Sequence, residues 1–150
     1  MKLFDYQVED AGFLAGREVA GLFSGMGSGK TLVALEACKI KNANKIIIVG
    51  PPISLSMWAT VAAEHLGRED IVILRSGKTA VANAGIIICS YTIATTRRAE
   101  LVSLRADVLI MDESHAIKTP GAKRTQALIG YDEVLTSICD SVTSTYFLTG

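Results

Sequence analysis

The chain carries no net charge, since 15 lysine and arginine residues balance 15 aspartate and glutamate over 150 residues. A globally basic surface that gains affinity by displacing counterions from phosphates is therefore excluded, and any nucleic-acid contact has to be local. Proline is scarce, with 3 in the chain, which excludes collagen-like and proline-rich low-complexity classes. A composition 49% hydrophobic and 20% charged excludes intrinsic disorder, which needs few apolar residues and a large net charge. The three cysteines, Cys38, Cys89 and Cys139, are far apart, form no C-x-x-C pair and have no histidine at metal-ligand spacing. They read as reduced thiols of an intracellular protein. Unbroken apolar runs are short, as at Ile46–Val49 and Ile86–Cys89, and Met1-Lys2-Leu3-Phe4-Asp5 is not an apolar signal core. Neither a membrane span nor a secretory signal is expected.

What the sequence does contain is a recurrence of short apolar segments between helical stretches. Val19–Phe23, Lys45–Val49, Ile71–Leu74, Ile86–Cys89, Asp107–Met111 and Thr145–Leu148 are mostly rich in Ile and Val. Such runs suit parallel strands covered on both faces. Helical spacing is expected over Asp5–Leu14, over Leu32–Ile40, along Leu55, Trp58, Ala62 and Leu66, over Arg97–Leu104, and after Thr119-Pro120. No repeat or linker divides the chain, so residues 1–150 are expected to form one three-layer α/β domain with a mostly parallel central sheet. His65 reads as a surface residue and Trp58 as a packing residue on its helix.

Ser24-Gly25-Met26-Gly27-Ser28-Gly29-Lys30-Thr31 lies directly after an apolar strand and directly before a helix. Glycines at alternate positions leave backbone N–H groups free to converge on phosphate oxygens, and the helix start adds its unpaired N–H groups and positive dipole end. Lys30 supplies a mobile positive charge to the β and γ phosphates and Thr31 a hydroxyl for Mg²⁺. The alternative is a flexible glycine-rich turn with a solvated lysine. The strict pattern G-x-x-x-x-G-K-[ST] begins with Gly, whereas this segment begins with Ser24.

A second apolar segment ends in Asp112-Glu113-Ser114-His115. Two adjacent carboxylates at the C-terminal end of a strand, where open α/β sheets bind ligands, repel each other unless a cation or a proton transfer uses them. Asp112 then holds Mg²⁺ through water, and Glu113 positions and deprotonates an attacking water. The alternative is an exposed acidic turn. His115, close behind, is placed to sense the γ-phosphate.

Together these residues resemble the first motor domain of superfamily-two helicases and translocases, most closely the Swi/Snf-like branch. Asp5-Tyr6-Gln7 looks like the adenine-recognising glutamine motif, with Gln7 as its matching residue. Ser24–Thr31 resembles motif I, which in this superfamily tolerates a small first residue. Ile46–Trp58 looks like motif Ia and Ile86–Thr92 like the strand and turn of motif Ib. Asp112-Glu113-Ser114-His115 with Ala116-Ile117-Lys118 is similar to the D-E-x-H box of the Swi/Snf-like branch, and Tyr146–Gly150 to the opening of motif III. The resemblance implies a RecA-like P-loop fold, ATP and Mg²⁺ as cofactors, and hydrolysis coupled to movement along DNA, with duplex favoured and RNA left open. It implies Gly25, Met26, Gly27, Ser28, Gly29, Lys30 and Thr31 as the phosphate loop, and His115 with Thr149 as the coupling residues.

Backbone contacts to nucleic acid are expected from Ser54 and Ser56, from Tyr91 and Thr92, and from Lys123 and Arg124, with Arg97 and Arg98 near enough to join. Such motors close two RecA-like domains around ATP, and the second brings an arginine worth about 10³ to 10⁵ in rate. Residues 1–150 correspond to the first domain only, the last of them in motif III. A second domain, in cis or as a separate chain, is therefore an expected partner, and the isolated domain is expected to turn ATP over very slowly and to associate through uncovered apolar surface. Two other readings stand beside this one. They are a non-catalytic ATP-binding module that works with a partner, and a small-molecule P-loop phosphotransferase.

Overall fold

The computed structural model describes residues 2–23, 29–75, 79–81, 83–117, 122–130 and 136–149. Helix α1 (Asp5–Ala15) leads into strand β1 (Val19–Phe23), helix α2 (Lys30–Ile40) and strand β2 (Ile46–Gly50). A 3-10 turn (Pro52–Ser54) opens helix α3 (Leu55–Leu66), which is followed by strands β3 (Ile71–Leu74) and β4 (Ile86–Ser90). Helices α4 (Tyr91–Thr96) and α5 (Arg98–Ser103), strand β5 (Val108–Met111), a second 3-10 turn (Ser114–Ile117), helices α6 (Lys123–Leu128) and α7 (Ile138–Ser141), and strand β6 (Ser144–Thr149) complete the order. The expected strands form, with ends shifted by one residue at most.

All strands pair in parallel, in the order β1-β6-β5-β2-β4-β3. Every residue of β2, β4 and β5 is buried, which is why these strands carry no polar alternation. Their side chains still divide with period two. Ile46, Ile48, Ile86, Ile88, Val108 and Ile110 pack with α1, α2 and α3 on one face. Ile47, Val49, Ile87, Cys89, Leu109 and Met111 pack with α4 to α7 on the other. Each such side chain contributes about 1.5–3 kcal/mol on burial, so the three central strands are the thermodynamic centre of the three layers. Among the described residues β1 is an edge strand, and its Val19 and Phe23 are exposed.

Strand pairing also fixes the functional edge. Phe23 of β1 pairs with Thr149 of β6, Met111 of β5 with both Phe147 of β6 and Val49 of β2, and Gly50 of β2 with Ser90 of β4. The C-terminal ends of these strands, and with them the start of α2, Asp112-Glu113, Ser54 and Tyr91-Thr92, therefore open on the same side of the sheet. No helix among the described residues is long and apolar enough to cross a membrane.

Candidate functional site

Helix α2 begins at Lys30. Its N-cap, Gly29, is left-handed at φ 74°, and no side chain caps the helix. The N-terminal end of α2 therefore lies at the sheet edge, where a helix start suits an anion. Lys30 and Thr31 occupy that first turn and are half-buried. Gly25, Met26, Gly27 and Ser28 lie outside the described residues.

Gln7 is buried in α1 and its Oε1 accepts the Phe4 N–H at 2.8 Å. A Cβ on Gly29 would stand 2.1 Å from Gln7 Nε2. The amide therefore lies against Gly29 at the start of α2, which brings α1 and α2 into contact. Two glycine properties meet at this position, freedom to take positive φ and absence of a side chain.

The carboxylates follow β5, which β6 separates from β1. Asp112 Oδ1 accepts the Glu113 N–H at 3.0 Å, and Oδ2 accepts the Trp58 Nε1–H at 2.9 Å. A carboxylate oxygen accepts more than one bond, so lone pairs remain on both for a hydrated cation. Carboxylate and hydroxyl oxygens, which Asp112 and Thr31 carry, are hard donors of the kind Mg²⁺ takes. Glu113 follows with φ 52°, a left-handed conformation costing a non-glycine residue about 1–2 kcal/mol. This turn breaks β5 and separates the directions of the two adjacent carboxylates. His115 Nδ1 lies 3.3 Å from Glu113 Oε2 and 3.4 Å from Thr149 Oγ1. The expected coupling pair is thus adjacent, with the imidazole between the strand-end glutamate and β6.

The rest of the edge forms a shallow surface. Thr92, Thr95, Thr96, Ala122, Lys123 and Arg124 line an open cavity of about 310 Å³ between α4 and α6. Thr92 also lines its neighbour of about 280 Å³, with Pro52, Leu74, Arg75 and Ser90. Thr92, Lys123 and Arg124 are exposed. Ser56 is exposed and its Oγ accepts from Arg75 at 2.9 Å, whereas Ser54 donates to the Pro51 carbonyl at 2.8 Å.

A protein-family model described as the type III restriction enzyme res subunit matches residues 2–144. The chain belongs to that family. In structure it is similar to the Sulfolobus solfataricus SWI2/SNF2 ATPase core in complex with dsDNA, with a TM-score of 0.79 at 19% identity. The match covers 100% of this chain and 32% of that one, so the chain spans about a third of its length. No curated protein matches. The res-subunit chain is thus a RecA-like domain of the superfamily-two helicase type, a helicase-like ATPase motor domain by family.

Within this res-subunit domain some sequence expectations need correction. Tyr91 is not a surface contact. It is 4% exposed and its hydroxyl donates to the Asp112 carbonyl at 2.7 Å. Burial, reinforced by the charges of Asp112 and Glu113, pushes the phenol well above its ordinary pKa and keeps it a donor. His65 is not on the surface either, being 7% exposed with Nε2 2.6 Å from Glu36 Oε2 of α2. Arg97 binds Glu100 at 2.6 Å and Arg98 donates to the Thr136 carbonyl at 2.5 Å, so both hold α5. Tyr91 and Thr92, read as the turn after the strand, open helix α4, capped by Ser90, whose Oγ accepts the Ile93 N–H at 3.2 Å. Sequence reasoning missed Arg75 and the bond from Trp58 to Asp112. Ser90 three residues ahead of Ile93 was a capping signal for α4, but nothing local links Trp58 to Asp112.

Proposed function

We propose that this domain is the nucleotide-binding, N-terminal motor half of an ATP-driven DNA translocase or helicase of the Swi/Snf-like branch, completed by a second RecA-like domain. The observation that carries the reading is the convergence on one sheet edge of the uncapped start of α2, with Lys30 and Thr31, and the strand-end carboxylates of Asp112 and Glu113. Anion binding at a helix start and cation binding at a carboxylate are separately common, but side by side they match the triphosphate and its metal.

Lys30 and the α2 N–H groups hold the β and γ phosphates, and Gln7, whose amide lies against Gly29, recognises the base by resemblance to the glutamine motif. Thr31 and Asp112 would hold Mg²⁺, which when bound neutralises charge on the transferring phosphoryl group. Glu113 orients a water and takes its proton. His115, within reach of both Glu113 and Thr149, relays the state of the site to β6. Thr92, Lys123 and Arg124, with Ser56 and Arg75 further along the edge, contact phosphates of one strand. Positioning a track needs backbone contacts rather than base readout, which is compatible with a chain of zero net charge. Duplex DNA is the favoured track, by analogy with the dsDNA bound to the similar ATPase core.

The test is ATP hydrolysis by the full-length protein and its Lys30→Ala variant. Loss of this charge is expected to lower turnover about a hundredfold or more. Equal turnover by both would remove the phosphate loop from the mechanism.

A further inference from the structure

Trp58 is the only tryptophan of the sequence and is fully buried in the first turns of α3. Packing is only part of what its side chain does. The indole N–H donates to Asp112 Oδ2 at 2.9 Å, across 54 residues of sequence. The other oxygen is held by the Glu113 N–H at 3.0 Å. One donor therefore belongs to the strand end and one to a neighbouring helix, and together they fix the rotation of the carboxylate. Gly50 leaves room beside this carboxylate, because a Cβ there would approach Ser54 Oγ to 3.1 Å and Asp112 Cβ to 3.2 Å and one of them would have to give slightly.

We propose that Trp58 is a positioning residue for the Mg²⁺ carboxylate, orienting Asp112 through its indole N–H and tying that orientation to helix α3. The inference rests on the nucleotide reading above, and goes beyond it by assigning a role to a residue outside the helicase site residues. Partners that orient a metal ligand without touching the metal are worth about 10–100-fold in metal affinity. Helix α3 also carries Ser56, two residues before Trp58 and held by Arg75. A shift of α3 at the open edge thus reaches Asp112 through a single side chain.

Trp58→Phe keeps most of the apolar volume and removes the donor. Fluorescent ATP binding would be titrated with Mg²⁺ in the protein and in this variant, and repeated in EDTA. The expected result is a Mg²⁺ midpoint raised about tenfold or more, with metal-free nucleotide affinity unchanged. A merely structural role would lower both affinities together, and that result, or an unchanged midpoint, would overturn the proposal. Should Trp58→Phe fail to fold, wild-type Trp58 emission decides. With nucleotide present it is expected to change along the Mg²⁺ titration at the binding midpoint, and a constant emission would overturn the proposal. Absence of nucleotide binding in the wild type would instead sink the motor reading itself.

Discussion

Gly29→Ala perturbs the one residue where backbone and steric demands coincide. At φ 74° an L-residue is strained by about 1–2 kcal/mol. The added Cβ would also stand 2.1 Å from Gln7 Nε2. The far end of a side chain usually swings away at little cost, but this one is held at its other terminus, where Oε1 accepts the Phe4 N–H. Moving it forfeits a buried hydrogen bond of about 1 kcal/mol, for a total of about 2–3 kcal/mol. With a urea dependence of about 1–3 kcal/mol per molar, the unfolding midpoint should fall by about 1 M or more. The steric part can be isolated with a double-mutant cycle. In a Gln7→Ala background Gly29→Ala should cost only the backbone strain. A loss below about 0.5 kcal/mol, or the same loss in both backgrounds, would refute the contact between Gln7 and the loop.

Further outcomes follow from the buried and paired groups. Burial pushes the Cys38 and Cys89 thiols up to about 12, so both should resist alkylation at pH 8 in the folded protein and react fully in denaturant, as counted by mass spectrometry. Rapid native labelling of either would contradict the packing on both sheet faces. The Arg68 guanidinium hydrogen-bonded to Asp70 holds that carboxyl below its ordinary value. A depressed carboxyl stabilises the fold above its unfolded pKa of about 3.9 and loses that contribution as pH falls through the folded value. Asp70→Asn should therefore be less stable than wild type near neutral pH, with the difference in urea midpoint closing below about pH 4. A difference independent of pH would remove the ion pair from the account.

The strands were legible because β2, β4 and β5 are buried on both faces and must be apolar throughout, a signal that survives without tertiary information. The positions of Lys30, Asp112 and Glu113 at element ends were legible, since α2 starts at Lys30 and β5 ends just before Asp112. The order of strands was not, since all of the paired runs are equally apolar. Tyr91 and His65 were misplaced for a related reason. Each is polar at one end only, and its partner, Asp112 for Tyr91 and Glu36 for His65, is far away in sequence. The bond from Trp58 to Asp112 is of the same kind, because two elements must first dock before the indole finds its acceptor. Helix α4, at six residues, is too short for periodicity to reveal it.

The central claim is that an ATP site and a nucleic-acid track share one sheet edge. Its most direct test is the rate of ATP hydrolysis by the full-length protein as duplex DNA is added, in the wild type and in Lys123→Ala/Arg124→Ala. DNA is expected to accelerate hydrolysis, and the double variant to need more DNA to reach half-maximal rate. Hydrolysis unchanged by duplex DNA and by RNA alike would contradict it.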